Sequence, residues 1–125
     1  MKGFVVLAHP EPTSYNGQLF RIAQETLQEA GHEVQVSDLH GMGFNPASGF
    51  HDVTDPVGSD IFQMQIEQEH AAKTGTFAPD IAAEQEKLYW CDLVIFQFPL
   101  WWFGIPGILK GWFCLLYTSD AADEG

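Results

Sequence analysis

Two nearly unbroken apolar runs, Phe4 to Ala8 and Leu93 to Phe98, stand out from a chain that elsewhere mixes apolar and polar positions. Runs of this length suit strands covered on both faces, the usual state of strands inside a parallel sheet. The first is expected to open the fold and the second to be a central strand. After the first come Pro10, Glu11, Pro12, Thr13, Ser14 and Asn16, all turn or cap residues. Leu19, Ile22, Ala23, Thr26, Leu27 and Ala30 then recur at offsets of 0, 3, 4, 7, 8 and 11, the period of an amphipathic helix. Gly31 is placed to end it with a left-handed cap. Val34 and Val36 alternate with polar neighbours across Glu33 to Asp38, which predicts a half-buried edge strand. Asp60 to Lys73 carries a weaker helical pattern (Ile61, Met64, Gln65, Glu69), and Asp80 is read as the cap of a further helix through Ile81, Ala82, Leu88 and Tyr89. Beyond a loop from Pro99 to Gly107, Ile108 to Phe113 opens a last helix.

This β-α-β-α-β-α order predicts an α/β fold with a doubly wound parallel sheet of strand order 2-1-3. Ligands in such sheets sit beyond the carboxyl ends of the strands, where the strand order reverses. The loops after Leu7 and Phe98 are therefore expected to face one another. The segment from Leu39 to Ser59, rich in Gly, Asn, Pro, His and Asp, is longer than most connections, and long loops are often functional.

A chain of 125 residues with 46% apolar content suits a single domain, and its formal net charge of -12 argues against nucleic acid and anionic lipid as partners. Its two cysteines, Cys91 and Cys114, form no metal-type or disulfide pattern, which fits a reducing cytoplasm. The longest apolar stretch, Leu93 to Leu109, is broken by Gln97, Pro99, Gly104, Pro106 and Gly107 and is shorter than a membrane span requires. The N-terminus is read as a strand and not a signal peptide.

The unusual chemistry lies in the two facing loops. His9, Thr13, Ser14 and Asn16 gather donors where a helix begins, a setting that suits a phosphate or diphosphate. The same Ser14 and Asn16 also suit simple helix capping. In the second loop, Leu100, Trp101, Trp102 and Phe103 lie between Pro99 and Gly104. A flat aromatic ligand would fit there, with Gly104 and Gly107 allowing close approach; a hydrophobic plug or a dimer surface is the alternative. His51, Asp52 and Asp55 match no common metal-ligand set and read as a solvated loop, and no metal is expected. Gly41-Met42-Gly43 lacks the context of a dinucleotide fingerprint, and Ser14 with His9 lacks the elbow of a hydrolase. The Asp and Glu residues of the middle helices read as a solvated face.

The blocks LAHPEPTSYNG (7–17), SDLHGMGFNP (37–46), FAPDIAAEQEKL (77–88) and DLVIFQFPLWWFGIPGILKGWF (92–113) resemble the NAD(P)H quinone oxidoreductase family, the DT-diaphorase-like branch of flavodoxin-like proteins. The resemblance implies bound FAD, less often FMN, and two-electron transfer from NAD(P)H to a quinone. It implies that His9, Thr13, Ser14, Tyr15 and Asn16 hold the phosphate and ribose part, with Gln63 a further contact. It also implies that Pro99, Leu100, Trp102 and Phe103 lie along the flavin ring, with backbone N–H groups from Trp102 to Gly104 near its reactive edge. No side chain is expected as a catalytic acid or base, because the family's Tyr and His region has no counterpart here. The family further implies a homodimer. Some relatives of this kind are instead non-catalytic flavin-binding regulatory subunits of potassium efflux systems, which is the alternative function. The resemblance ends near residue 113. Residues 1–113 are expected to be the N-terminal part of the flavin-binding domain, truncated before the family's later strands and not an autonomous enzyme, and 114–125 to be an unrelated tail.

Overall fold

In the computed structural model, which describes residues 1–116, three parallel strands lie in the order β2-β1-β3. They are β1 (Lys2–Leu7), β2 (Glu33–Asp38) and β3 (Leu93–Gln97), joined through α1 (Tyr15–Glu29), α2 (Met64–Thr74) and α3 (Pro79–Trp90) and followed by α4 (Gly107–Leu116). β1 pairs with β2 from Lys2 opposite Glu33 to Leu7 opposite Asp38, and with β3 from Gly3 opposite Leu93 to Leu7 opposite Gln97. Side chains alternate across a strand, so the continuous apolar run of β1 supplies both faces at once. Val5 and Leu7 pack with Phe20 of α1, while Phe4, Val6 and Ala8 join Ile81 of α3 and Leu109, Trp112 and Leu115 of α4.

The central strand is thus β1. Among the described residues β3 lies at the sheet's other edge, and its residues are half-buried except for the exposed Leu93. The position expected for Leu93 to Phe98 requires a neighbour on each side, and the described residues pair only one of its edges.

α1 starts at its Ser14 cap and is followed by Gly31, which takes a left-handed φ of +88°. Its packed face differs from the expected stripe. Phe20, Ala23 and Leu27 turn inward onto Val34, Val36 and Ile95, whereas Ile22, Thr26 and Ala30 are exposed. The large Phe20 ring outweighs the smaller residues in choosing which side faces the sheet.

α2 begins at Met64, four residues later than the pattern suggested, and α3 begins at Pro79 with Ala78 as its cap instead of Asp80. Proline's fixed φ and missing N–H suit the first helical position. α4 continues through Cys114 to Leu116, three residues past the boundary drawn at 113, and Leu115 and Leu116 are buried in the core. The rest of the expected tail, 117–125, lies outside the described residues.

Two carboxylates of the middle helices are not on a solvated face. Glu67 of α2 is buried and accepts from the N–H groups of Val57, at 3.0 Å, and Gly58, at 2.9 Å, tying down the long loop. Glu84 of α3 is fully buried. It accepts from Lys87 Nζ at 2.8 Å and from Trp112 Nε1 at 3.1 Å, while Lys87 also donates to Ser37 Oγ at 2.9 Å. One polar network thereby joins β2, α3 and α4. Asp52 is buried too, accepting from Ser48 Oγ at 2.9 Å and Gly49 N at 3.0 Å, so the Leu39 to Ser59 stretch is anchored from both its own turn and α2.

Candidate functional site

The carboxyl ends of β1 and β3 are adjacent, so the loops that leave them meet. Ala8 N–H donates to the Gln97 carbonyl at 3.0 Å, the rings of His9 and Trp101 are 5.7 Å apart, and Gln97 Nε2 donates to Asn16 Oδ1 at 2.8 Å. Residues more than eighty positions apart in the chain are brought side by side at the switch point.

The first loop is held tightly. Ser14 N–H donates to the Glu11 carbonyl at 3.1 Å, and Arg21 Nη1 donates to the Pro12 carbonyl at 2.8 Å. Gly17 sits so close beneath this turn that a Cβ there would run into the Pro12 carbonyl. Ser14 Oγ accepts from Gly17 N–H at 3.1 Å, so this hydroxyl caps α1 and keeps its own proton to donate. His9 Nδ1 accepts from Glu11 N–H at 3.0 Å, which leaves Nε2 as the donor nitrogen. Thr13 is exposed, and its carbonyl accepts from Gln18 Nε2 at 3.3 Å; Tyr15 is also exposed, at 74%. Asn16 is half-buried against Gln97. The loop therefore offers neutral donors around the start of a helix, where free peptide N–H groups favour an anion despite the chain's acidic total.

The second loop is a tight hairpin turn. Trp101 and Gly104 exchange two backbone hydrogen bonds, each 3.1 Å, around Trp102 and Phe103, whose φ values are +51° and +60°. Two consecutive positive φ angles are the pattern of a type I′ turn, where Asn and Gly are the favoured residues. Bulky aromatic residues there are strained, and strain of this kind collects at ligand sites. Both rings are 95% exposed. With Leu100 and Trp101 they line an open apolar concavity of about 640 Å³. The Gly104 N–H donates to the Trp101 carbonyl, and the N–H groups of Trp102 and Phe103 have no backbone acceptor among the described residues. A Cβ at Gly104 would meet nothing nearer than 4.0 Å, and one at Gly107 nothing within 4 Å, so the chain's own packing demands neither glycine. Pro99 is half-buried beside this turn.

Gln63 heads α2 as an exposed residue, makes no side-chain cap and does not line the concavity. It is not brought to the two loops by any hydrogen bond among the described residues. His51, Asp52 and Asp55 do not converge as ligands, and the described residues contain no cluster of three or more His, Cys, Asp or Glu arranged for a metal. Gln97 is a residue that sequence reasoning passed over. Its only signal was a polar interruption at the end of an apolar strand.

A family model described as flavodoxin-like fold matches residues 1–122. Over 113 residues, 90% of its length, the chain is 51% identical to NAD(P)H dehydrogenase [quinone] 1 of Rattus norvegicus, covering 41% of that protein. It is 47% identical over 112 residues, 89% of the chain, to ribosyldihydronicotinamide dehydrogenase [quinone] of Mus musculus, covering 48% of it. A solved Klebsiella pneumoniae structure, proposed to be a quinone reductase, superposes with a TM-score of 0.91 at 47% identity, over 96% of this chain and 46% of that one. The chain spans less than half the length of these relatives.

Proposed function

Since the chain belongs to the flavodoxin-like fold family, we propose that it carries the flavin-binding part of an NAD(P)H quinone oxidoreductase, with FAD as its cofactor in preference to FMN. The observation that carries this reading is a strained, exposed aromatic turn, Trp101 to Gly104, set directly against a loop of neutral donors. The relatives named for quinone reduction support it.

The residues present fit a flavin. An apolar concavity of about 640 Å³ with two exposed rings suits a flat tricyclic group, and a capped helix start suits its phosphates. In this reading His9 Nε2, the hydroxyls of Thr13, Ser14 and Tyr15, and Asn16 bind the ribose and phosphates. Pro99, Leu100, Trp102 and Phe103 provide the apolar wall that orients the ring and excludes water. The free N–H groups of Trp102 and Phe103 are the donors available for charge that develops on the ring. When bound, flavin supplies the two-electron chemistry, and the protein's task is to orient nicotinamide and quinone in turn against one ring face. No side chain of this site is needed as nucleophile, acid or base. Gln63 is retained only as a peripheral contact. A homodimer and a cytoplasmic setting complete the proposal; among the described residues, no helix is long and apolar enough to cross a membrane.

The test is direct. The intact protein purified from cells should be yellow, release FAD on denaturation, and oxidise NADH or NADPH only when a quinone is present. A colourless protein that takes up neither FAD nor FMN would overturn the flavin reading. A yellow protein without turnover would instead favour a non-catalytic regulatory subunit.

A further inference from the structure

Gln97 ends β3 and holds the first loop twice. Its carbonyl accepts from Ala8 N–H at 3.0 Å, and its side-chain Nε2 donates to Asn16 Oδ1 at 2.8 Å across 81 positions of sequence. Only the first of these belongs to the run of backbone bonds that joins β1 to β3. The second is a side-chain bond between two half-buried amides where the two loops meet.

An asparagine amide has an acceptor end and a donor end of nearly equal size. Free to rotate, it can offer either end to whatever lies beside the helix start. An anion is attracted by the NH2 group and repelled by the oxygen, so an unconstrained Asn16 would give a weak and ambiguous contact. In the structure the bond from Gln97 Nε2 engages Oδ1 and leaves the other end of the amide outward. The Asn16 NH2 group, which has no partner among the described residues, is then the end left for a ligand. Ordering a donor before the ligand arrives lowers the cost of binding.

We propose that Gln97 is a positioning residue for anion recognition: by donating to Asn16 Oδ1 it commits the Asn16 amide to present its NH2 group to the phosphates of the flavin nucleotide. The proposal rests on the flavin reading and concerns the anionic tail alone, so it separates phosphate-bearing flavins from riboflavin.

The experiment titrates flavin-stripped intact protein with FAD, FMN and riboflavin, following flavin fluorescence. It compares the unsubstituted protein with Gln97→Leu, Asn16→Ala and the double variant, and thermal melts verify folding. Gln97→Met, which keeps the side-chain length, carries the same test if leucine disturbs the strand end. Gln97→Leu should weaken FAD and FMN binding about five- to tenfold, the worth of one well-placed hydrogen bond, and leave riboflavin unchanged. In the Asn16→Ala background the same substitution should cost nothing further, because its target is gone. Additive losses in the double variant, equal losses for riboflavin and FMN, or undiminished FAD binding by both Gln97 variants would each overturn the proposal. Failure of the unsubstituted protein to bind any flavin would refute the underlying functional reading instead.

Discussion

Replacing Phe103 with glycine should make the protein more stable and a worse flavin binder, two effects of opposite sign from one change. Phe103 holds a φ of +60° at the tip of a two-residue turn, and its ring is 95% exposed. The left-handed backbone costs a residue with a Cβ about 1–2 kcal/mol, a cost glycine does not bear. Glycine gives back about 0.5–1 kcal/mol through the greater freedom of the unfolded chain. Removing the side chain forfeits little burial, since almost none of it is covered. The balance is a gain of about 0.5–1 kcal/mol, and pairing it with Trp102→Asn, the other favoured residue of such a turn, should raise the gain further. Urea unfolding of the flavin-free protein measures this term as a higher midpoint at unchanged slope. The binding term is the loss of an aromatic wall, about 0.5–1.5 kcal/mol beyond its contact area and therefore several-fold in flavin affinity. A variant that is less stable and binds flavin as well as before would refute the argument that the strain is held for a ligand.

Three further outcomes are expected. Glu84→Ala leaves the Trp112 N–H without its buried acceptor, while Lys87 keeps Ser37 Oγ, and should destabilise the fold by about 1–3 kcal/mol in chemical denaturation. Gly17→Ala places a methyl group against the Pro12 carbonyl, so the first loop must shift; a loss of about 1–3 kcal/mol of stability, together with weaker FAD binding, should appear in paired melting and titration experiments. Burial, reinforced by neighbouring Asp92, holds the Cys91 thiol above its ordinary value of 9.0 against a smaller opposing effect of its backbone hydrogen bond. The unfolded chain then loses this proton first, so Cys91 supports the fold fully below about pH 9, and that support falls away as pH rises toward the higher folded value. The decline of stability with pH above 9 should be shallower in Cys91→Ala than in the parent protein.

Continuous apolar runs identified β1 and β3 as sheet strands, and the alternation of Val34 and Val36 marked β2 as an edge, because local periodicity reports how many faces of a strand are covered. Pro, Gly, Ser and aromatic residues likewise marked the loops at 9–17 and 99–104 as chemically unusual. Local pattern carries no information on what lies across the fold. That Gln97 meets Asn16, that His9 lies against Trp101, and that Glu67 and Glu84 are buried anchors instead of surface charges are decided by partners 9 to 92 positions away. The helix faces show the same division. The 3.6-residue period announces α1, but docking of Phe20 against Val5 and Leu7 selects which stripe turns inward. The left-handed backbone at Trp102 and Phe103 runs against the preference of both residues, so only the paired strand of hydrogen bonds between Trp101 and Gly104 could impose it.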